Sequence, residues 1–310
     1  MPDQSAKIKC LVVGNSASGT VVASRLKILG FEPYFVGRRG VSYIKSRLEA
    51  WGEITYLEVM PLNQINIADV EVVFMAVRIY DLVGALERYL AYIPKGIPII
   101  PLCSGAIEDL IWGLSKKYPA FIWRMGLCTF DVTEISRGIY NLKQGSGAAL
   151  WGNVEQKEQS FNSLTQVEKD IFAADREELF QWNQKVQVKL RHHWLFDMVT
   201  STICGAKGYT LNGQLLSDMS TLSQVFDESF LLGQELWGAW DVSKHKLLEE
   251  LVGKISLTAA TKNSMTADIR AGQRTENAYL AKLAENRRGY ELLTQFSKEI
   301  ESKNKKKSYA

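Results

Sequence analysis

The chain has 310 residues, 46% of them hydrophobic, and a formal net charge of +3 at pH 7. That length buries an ample apolar core without disulfide or metal staples, and it predicts two domains. The near-neutral balance argues against nucleic-acid binding, which needs a basic stripe, and no apolar run approaches the ~18–20 residues of a membrane span.

The four cysteines, Cys10, Cys103, Cys128 and Cys204, lie far apart and form no CxxC pair. With three histidines in the whole chain, a zinc site has few ligands to draw on, so no metal is expected. Unpaired cysteines suit a reducing compartment, and the N-terminal stretch lacks the apolar core of a signal peptide, so the expected location is cytoplasmic.

The elements follow in chain order. Lys9 to Val13 is a short apolar run that predicts a buried parallel strand. Thr20 to Leu29 predicts a helix stopped by Gly30, and Pro33 to Val36 a second strand stopped by Gly37. Val70 to Val77 predicts another buried strand, Leu82 to Tyr92 a helix, and Ile97 to Leu102 a strand after the Pro94-Lys95-Gly96 turn. This alternation implies a parallel sheet covered by helices on both faces. From Phe121 to Trp151 the pattern becomes strand–turn–strand and is expected to extend that sheet as a meander. Beyond Trp182 the strands stop. Val186 to Ala206, Met219 to Ala239, Lys244 to Ala260 and Arg274 to Ile300 all predict helices. The fold class is therefore α/β: a Rossmann-type parallel-sheet domain over 1–182, then an all-helical domain over 183–303. The lysine-rich residues 304–310 are expected to form a disordered basic tail.

After the first predicted strand, Gly14-Asn15-Ser16-Ala17-Ser18-Gly19 opens a helix. That is the setting of a dinucleotide fingerprint. Its first glycine makes the tight turn and its last lets helix and strand pack closely, while the middle glycine normally admits the pyrophosphate. Ser16 stands at that middle position, where it either crowds the phosphate or hydrogen-bonds it. The pattern alone is weak, and an ordinary strand–helix turn would read the same. At the end of the second strand, NAD enzymes place an acid for the ribose hydroxyl. Here the residues are Gly37-Arg38-Arg39-Gly40. Guanidinium groups match a 2′-phosphate, so the cofactor expectation is NADP, with Arg38 as its reader.

In the helical half, Asn263-Ser264-Met265, Asp268-Ile269-Arg270 and Thr275-Glu276 resemble the C-terminal signature of ketopantoate reductases. Residues 180–193, with Trp182 and Leu190, are similar to the segment that enters the family's catalytic helix. The resemblance runs at a low level along nearly the whole chain. It implies a substrate-binding role for Ser264, an active-site role for Glu276, a 2′-phosphate contact for Arg38 and a cofactor-facing position for Arg78. In this register the family's catalytic lysine becomes His193, and its two asparagines become Asp197 and Ser201. The three share one helix face at i, i+4 and i+8. A register one residue later would use Trp194, Met198 and Thr202 instead.

Hydride reduction of a ketone leaves an alkoxide that needs a proton from a donor within hydrogen-bond reach. An imidazolium raised in pKa by Glu276 or Asp197 would supply it, with Ser264 and Ser201 holding the substrate. Two adjacent histidines are equally read as one surface and one core residue, and Asp197 as the partner of an arginine. The expected function is NADPH-dependent reduction of a small oxo compound in a specialised pathway, by an enzyme for which a homodimer is the candidate assembly and which binds neither nucleic acid nor membrane. The alternatives are a non-redox enzyme of cyclase or isomerase type on the same fold, or a protein that only binds.

Overall fold

A computed structural model describes residues 7–37, 45–50, 53–61, 65–130, 132–136, 138–142, 147–154, 164–176 and 178–308. The chain divides into two compact units, Met1–Gln187 and Val188–Ala310. The division falls later than the 182/183 expected from sequence. Asn183 N–H donates to the Trp151 carbonyl at 2.9 Å, which ties the segment leading into the first helix of the second unit to the sheet of the first.

The first unit runs β1 (Lys9–Val13), α1 (Ala17–Ile28), β2 (Glu32–Val36), β3 (Lys45–Ala50), β4 (Glu53–Glu58), β5 (Val70–Met75), α2 (Ile79–Tyr89), β6 (Pro98–Pro101), α3 (Glu108–Lys117), β7 (Ile122–Cys128), β8 (Val132–Ser136), β9 (Ile139–Leu142), β10 (Ala149–Asn153), α4 (Gln166–Ala174) and β11 (Phe180–Trp182). Seven strands make one sheet in the order β11-β10-β7-β6-β5-β1-β2. From β2 to β7 the pairs are all parallel, as the βαβ rhythm requires, and β10 turns antiparallel against β7.

The expected meander is only half present. β7 and β10 extend the main sheet, but β8 and β9 leave it to join β3 and β4 in a second sheet of order β4-β3-β9-β8. Helix α1 packs against strands of both sheets. Residues 19–26 are buried all round, the polar Thr20, Ser24 and Arg25 among them, so this stretch of the helix has no solvent-facing stripe. Strand β4 escaped prediction because apolar residues lie on its exposed face as well as its buried one. Thr55 and Leu57 point inward while Ile54 and Tyr56 are 46% and 56% exposed.

Two charged networks sit inside this unit. Arg25 donates to Asp175 from Nε at 2.8 Å and from a second guanidinium nitrogen, and Asp175 also accepts from the Phe180 amide. Arg124 and Glu168 pair at 2.9 and 2.7 Å with both side chains almost fully buried. Glu168 also accepts from Trp151 Nε1 and closes the capping box of α4 with Thr165. Buried charges survive only when paired and hydrogen-bonded in this way.

The second unit is helical: α5 (Val186–Lys207, whose first residues belong to the first unit), α6 (Met219–Trp237), α7 (Lys244–Leu257), α8 (Ser264–Arg270) and α9 (Glu291–Ser308), with 3-10 turns between. The expected continuous helix over 274–300 is not formed. Residues 276–279 and 281–284 are separate 3-10 turns, and Asn286 and Gly289 take φ of 67° and 86°, which an α-helix excludes. Glu228 of α6 accepts the Leu292 and Leu293 amides at 3.0 and 2.8 Å and so caps α9 from outside. Helix α9 then continues to Ser308, so the lysine run expected in a tail is helical. Among the described residues no helix is long and apolar enough to cross a membrane.

Candidate functional site

In the first unit, Gly14 closes β1 at φ +110°, a conformation open to glycine. Its amide donates to the Val36 carbonyl at 2.8 Å, and a Cβ there would stand 2.3 Å from the Ala76 carbonyl oxygen. Gly19 is needed for a different reason: a Cβ on it would lie 1.9 Å from the Gly14 carbonyl oxygen, so only glycine lets α1 start this close to β1. Between them Ser16 is the N-cap of α1. Its hydroxyl donates to the Ala76 carbonyl at 2.9 Å and accepts from the Gly19 amide at 3.3 Å. The serine that sequence reading weighed as an obstruction is thus turned onto the end of β5.

The turn presents helix N–H groups that have no intrahelical acceptor, and the first turn of α1 contains no acid. These residues fit an anionic group such as a pyrophosphate. Arg78 stands half-buried one turn beyond β5 as the N-cap of α2, on the same sheet edge as Gly14 and Ser16. Arg38 lies outside the described residues. Leu102 and Cys103, which follow β6, are both buried. Burial pushes the thiols of Cys10, Cys128 and Cys204 up, so none of these three is a nucleophile near neutral pH.

In the second unit, the face of α5 that carries His193 is half-exposed, whereas Trp194 and Met198 of the later register are fully buried. Trp194 donates its indole N–H to the Tyr279 carbonyl at 3.3 Å, and Thr202 contacts the Met198 sulfur. Packing therefore puts the Trp194 and Met198 side chains in the core, while His193 and Asp197 lie on the half-exposed face. His193 Nε2 lies 3.4 Å from Asp197 Oδ2. Ser201, two turns from His193, is 7% exposed.

A residue that the sequence did not single out completes this group. Lys254, on α7, brings Nζ to 3.2 Å from His193 Nδ1, with the same ammonium 3.9 Å from the centroid of the Phe196 ring. An ammonium only donates, so Nδ1 is the acceptor and the imidazole proton sits on Nε2, toward Asp197. Burial pushes the His193 pKa below its ordinary 6.5, Asp197 pulls it up, and Lys254 pushes it further down; the net direction is down. This corrects the expected imidazolium: the ring is neutral at pH 7 and the cation of the group is Lys254. Burial lowers the Lys254 pKa in turn, against the pull of Asp197. The neighbouring His192 faces elsewhere, 2.7 Å from Asp241.

Ser264 is exposed at the first position of α8, after the buried N-cap Asn263, whose side chain accepts from the Thr266 amide. Glu276 is half-buried at the start of a 3-10 turn. The described contacts bring neither of them to His193. Among the described residues no three His, Cys, Asp or Glu side chains gather as a metal site.

Residues 10–156 match the family model for ketopantoate reductase PanE/ApbA. Over those residues the N-terminal unit is similar to the ketopantoate reductase family. Solved structures carry the likeness over both units. A PanE/ApbA family ketopantoate reductase from Ralstonia eutropha JMP134 has 13% identity and a TM-score of 0.79, over 97% of this chain and 100% of that one. A probable 2-dehydropantoate 2-reductase from Bacillus subtilis has 16% identity and a TM-score of 0.70, over 96% and 100%. D-mandelate dehydrogenase, solved with NADH and anilino(oxo)acetate, has 12% identity and a TM-score of 0.78, over 96% and 99%. At such identities the likeness establishes the shared fold. Among curated proteins, none matches the sequence.

Proposed function

We propose that this ketopantoate-reductase-like chain is an NADPH-dependent reductase of a small oxo compound. The observation that carries the proposal is the Gly14–Gly19 turn, which joins a tight backbone approach to the start of α1 inside the family-matched domain. In this reading Gly14, Ser16 and Gly19 hold the pyrophosphate, Arg38 reads the 2′-phosphate and Arg78 lines the cofactor at the end of β5. Bound reduced nicotinamide supplies the hydride. The chain's own residues handle the rest: the polar face of α5, with His193 and Asp197, manages the proton of the product alcohol, and Ser264, Ser201 and Glu276 bind and orient the substrate. The protein works in the cytoplasm as a homodimer, as the ketopantoate reductase from Staphylococcus aureus is described as dimeric.

Titration of the purified protein with NADPH and NADH, followed by nicotinamide fluorescence, tests this. NADPH binds more tightly than NADH, and Arg38→Ala removes most of that preference. Each lost charge-assisted hydrogen bond to phosphate is worth about 1.5–3 kcal/mol, or roughly a 10- to 100-fold weaker Kd. Absence of NADPH binding by the wild-type protein removes the proposal. One observation favours a second reading, non-redox acid–base chemistry: the line from Asp197 through His193 to Lys254 is complete within the second unit and needs no nicotinamide. Turnover without nicotinamide, in a protein with no NADPH affinity, would select it.

A further inference from the structure

The first residue past β2 has no side chain, and the turn after β1 puts one in the same space. We propose that Asn15 is a specificity-determining residue that reads the 2′-position of the cofactor's adenosine ribose beside Arg38, and that Gly37 is bare so that the Asn15 carboxamide can stand there. The proposal rests on the reductase reading given above and concerns the adenosine end of that site, within the first unit.

Three observations carry it. First, Asn15 fills the place of the missing side chain. Gly37 follows the first glycine of the turn by about 20 residues, the distance at which NAD enzymes place their ribose acid. A Cβ on Gly37 would stand 3.1 Å from Asn15 Cγ, 3.2 Å from Asn15 Oδ1 and 3.2 Å from Val59 Cγ1. Gly37 does not hold a positive φ, so crowding rather than backbone conformation calls for glycine there. Second, no local duty accounts for an asparagine at this position. Turns use asparagine for a left-handed backbone or for a hydrogen bond from its side chain to the nearby main chain. Asn15 does not hold a positive φ, and among the described residues its half-buried carboxamide makes no hydrogen bond. Its donors and its acceptor are all left for a ligand. Third, the backbone around the carboxamide is fixed. The Gly14 amide ties the turn to the Val36 carbonyl at 2.8 Å, and the Met60 amide donates to the Phe35 carbonyl at 2.8 Å, which sets buried Val59 against the same spot. The neighbouring Ser16 hydroxyl is already committed to Ala76.

The group's chemistry sets the preference. A carboxylate at the end of β2 accepts from a ribose 2′-hydroxyl and repels a 2′-phosphate. A carboxamide carries no charge and offers two N–H donors beside one carbonyl oxygen. Through its donors it makes a charge-assisted hydrogen bond to a 2′-phosphate, and through its oxygen it makes an ordinary one to a 2′-hydroxyl. Asn15 therefore favours the phosphorylated ribose without excluding the other.

The test measures binding to the full-length protein by calorimetry and needs no substrate. The probes are NADPH and NADH, and the two adenosine halves, adenosine 2′,5′-bisphosphate and adenosine 5′-monophosphate. Asn15→Ala is expected to weaken NADPH and the bisphosphate about 10-fold, the lower end for a charge-assisted hydrogen bond, and to leave NADH and the monophosphate within about threefold. Asn15→Asp adds repulsion and is expected to weaken the same two ligands about 100-fold while sparing the other two. Gly37→Ala pushes the carboxamide aside, so it too should weaken the bisphosphate, and the Asn15→Ala, Gly37→Ala double variant should be no weaker than Asn15→Ala alone. Asn15→Ala adds neither charge nor bulk at an ordinary φ, so it decides the question even if the other variants fail to fold. Unchanged affinity of Asn15→Ala for the bisphosphate overturns the proposal and leaves the reductase reading intact. A loss shared equally by all four ligands also overturns it, because a contact to the 2′-position must discriminate between them. Wild-type protein that binds neither NADPH nor the bisphosphate defeats the reductase reading and this proposal together.

Discussion

Replacing Gly14 with alanine isolates the physical requirement on which the nucleotide turn depends. Two costs add at this position. The residue holds φ +110°, and an L side chain in so sparsely populated a region costs about 1–3 kcal/mol. The new Cβ would also stand 2.3 Å from the Ala76 carbonyl oxygen and 2.8 Å from its carbon, both backbone atoms. Reaching 3.0 Å requires about 0.7 Å of movement of the β5 end, and forced overpacking of this kind costs a further ~1–3 kcal/mol. The sum is about 2–6 kcal/mol. Gly30→Ala supplies the comparison. Gly30 also has positive φ, +91°, but a Cβ on it meets nothing within 4 Å, so only the backbone cost remains, at about 1–3 kcal/mol. Urea unfolding of the two variants by circular dichroism should therefore differ by the overpacking cost, about 1–3 kcal/mol. The ligand readout separates them further. The Ala76 oxygen that must move is the acceptor of the Ser16 hydroxyl, so Gly14→Ala also disturbs the cap of α1. NADPH binding is expected to be lost in Gly14→Ala and kept in Gly30→Ala. Equal stability of the two variants within 1 kcal/mol, or normal NADPH affinity in Gly14→Ala, refutes the steric argument.

Glu168→Ala strands the buried Arg124 guanidinium and the Trp151 indole N–H, and is expected to cost about 3–5 kcal/mol in the same urea assay. The Arg124→Met, Glu168→Leu double variant should recover much of that loss; a double variant as unstable as the sum of the singles would show that the pair is not the reason. His193 gives a pH test of known sign. Its folded pKa lies below its ordinary 6.5, so the unfolded chain takes the proton first. Its contribution to stability is complete above pH 6.5 and is lost as pH falls from there toward the folded value. Glutamine at position 193 should flatten the unfolding free energy across that window, and an unchanged slope would mean that the ring is not held neutral.

Much of the first unit was legible because its signals are local. The apolar run Lys9 to Val13 is β1 residue for residue, and the glycine that follows it is the turn that the sequence required. The second sheet was not legible. In β4, Ile54 and Tyr56 are exposed beside buried Thr55 and Leu57, so the alternation that marks a half-buried strand was masked there. Nor did α1 announce that sheet: Thr20, Ser24 and Arg25 are polar yet buried, because β3 and β4, from the stretch left unassigned between Gly37 and Val70, pack on the helix as well as the main sheet does.

The candidate site divides along the same physical line. His193 and Asp197 are four residues apart on one helix, so their proximity follows from helix geometry and was readable in advance. Lys254 is 61 positions beyond His193, and only the packing of α7 brings it to the ring. The consequence reaches beyond one missed contact. From the helix alone, the ring has the Asp197 carboxylate at i+4 and Lys189 at i−4, so spacing leaves the sign of its pKa shift open. Desolvation decides it, with Lys254 of α7 adding to the same direction, and the pKa falls. A protonation state is set by every group around a side chain, and most of those groups come from other elements. Sequence spacing can therefore nominate the partners of a histidine along its own helix, while the charge on its ring waits on the fold.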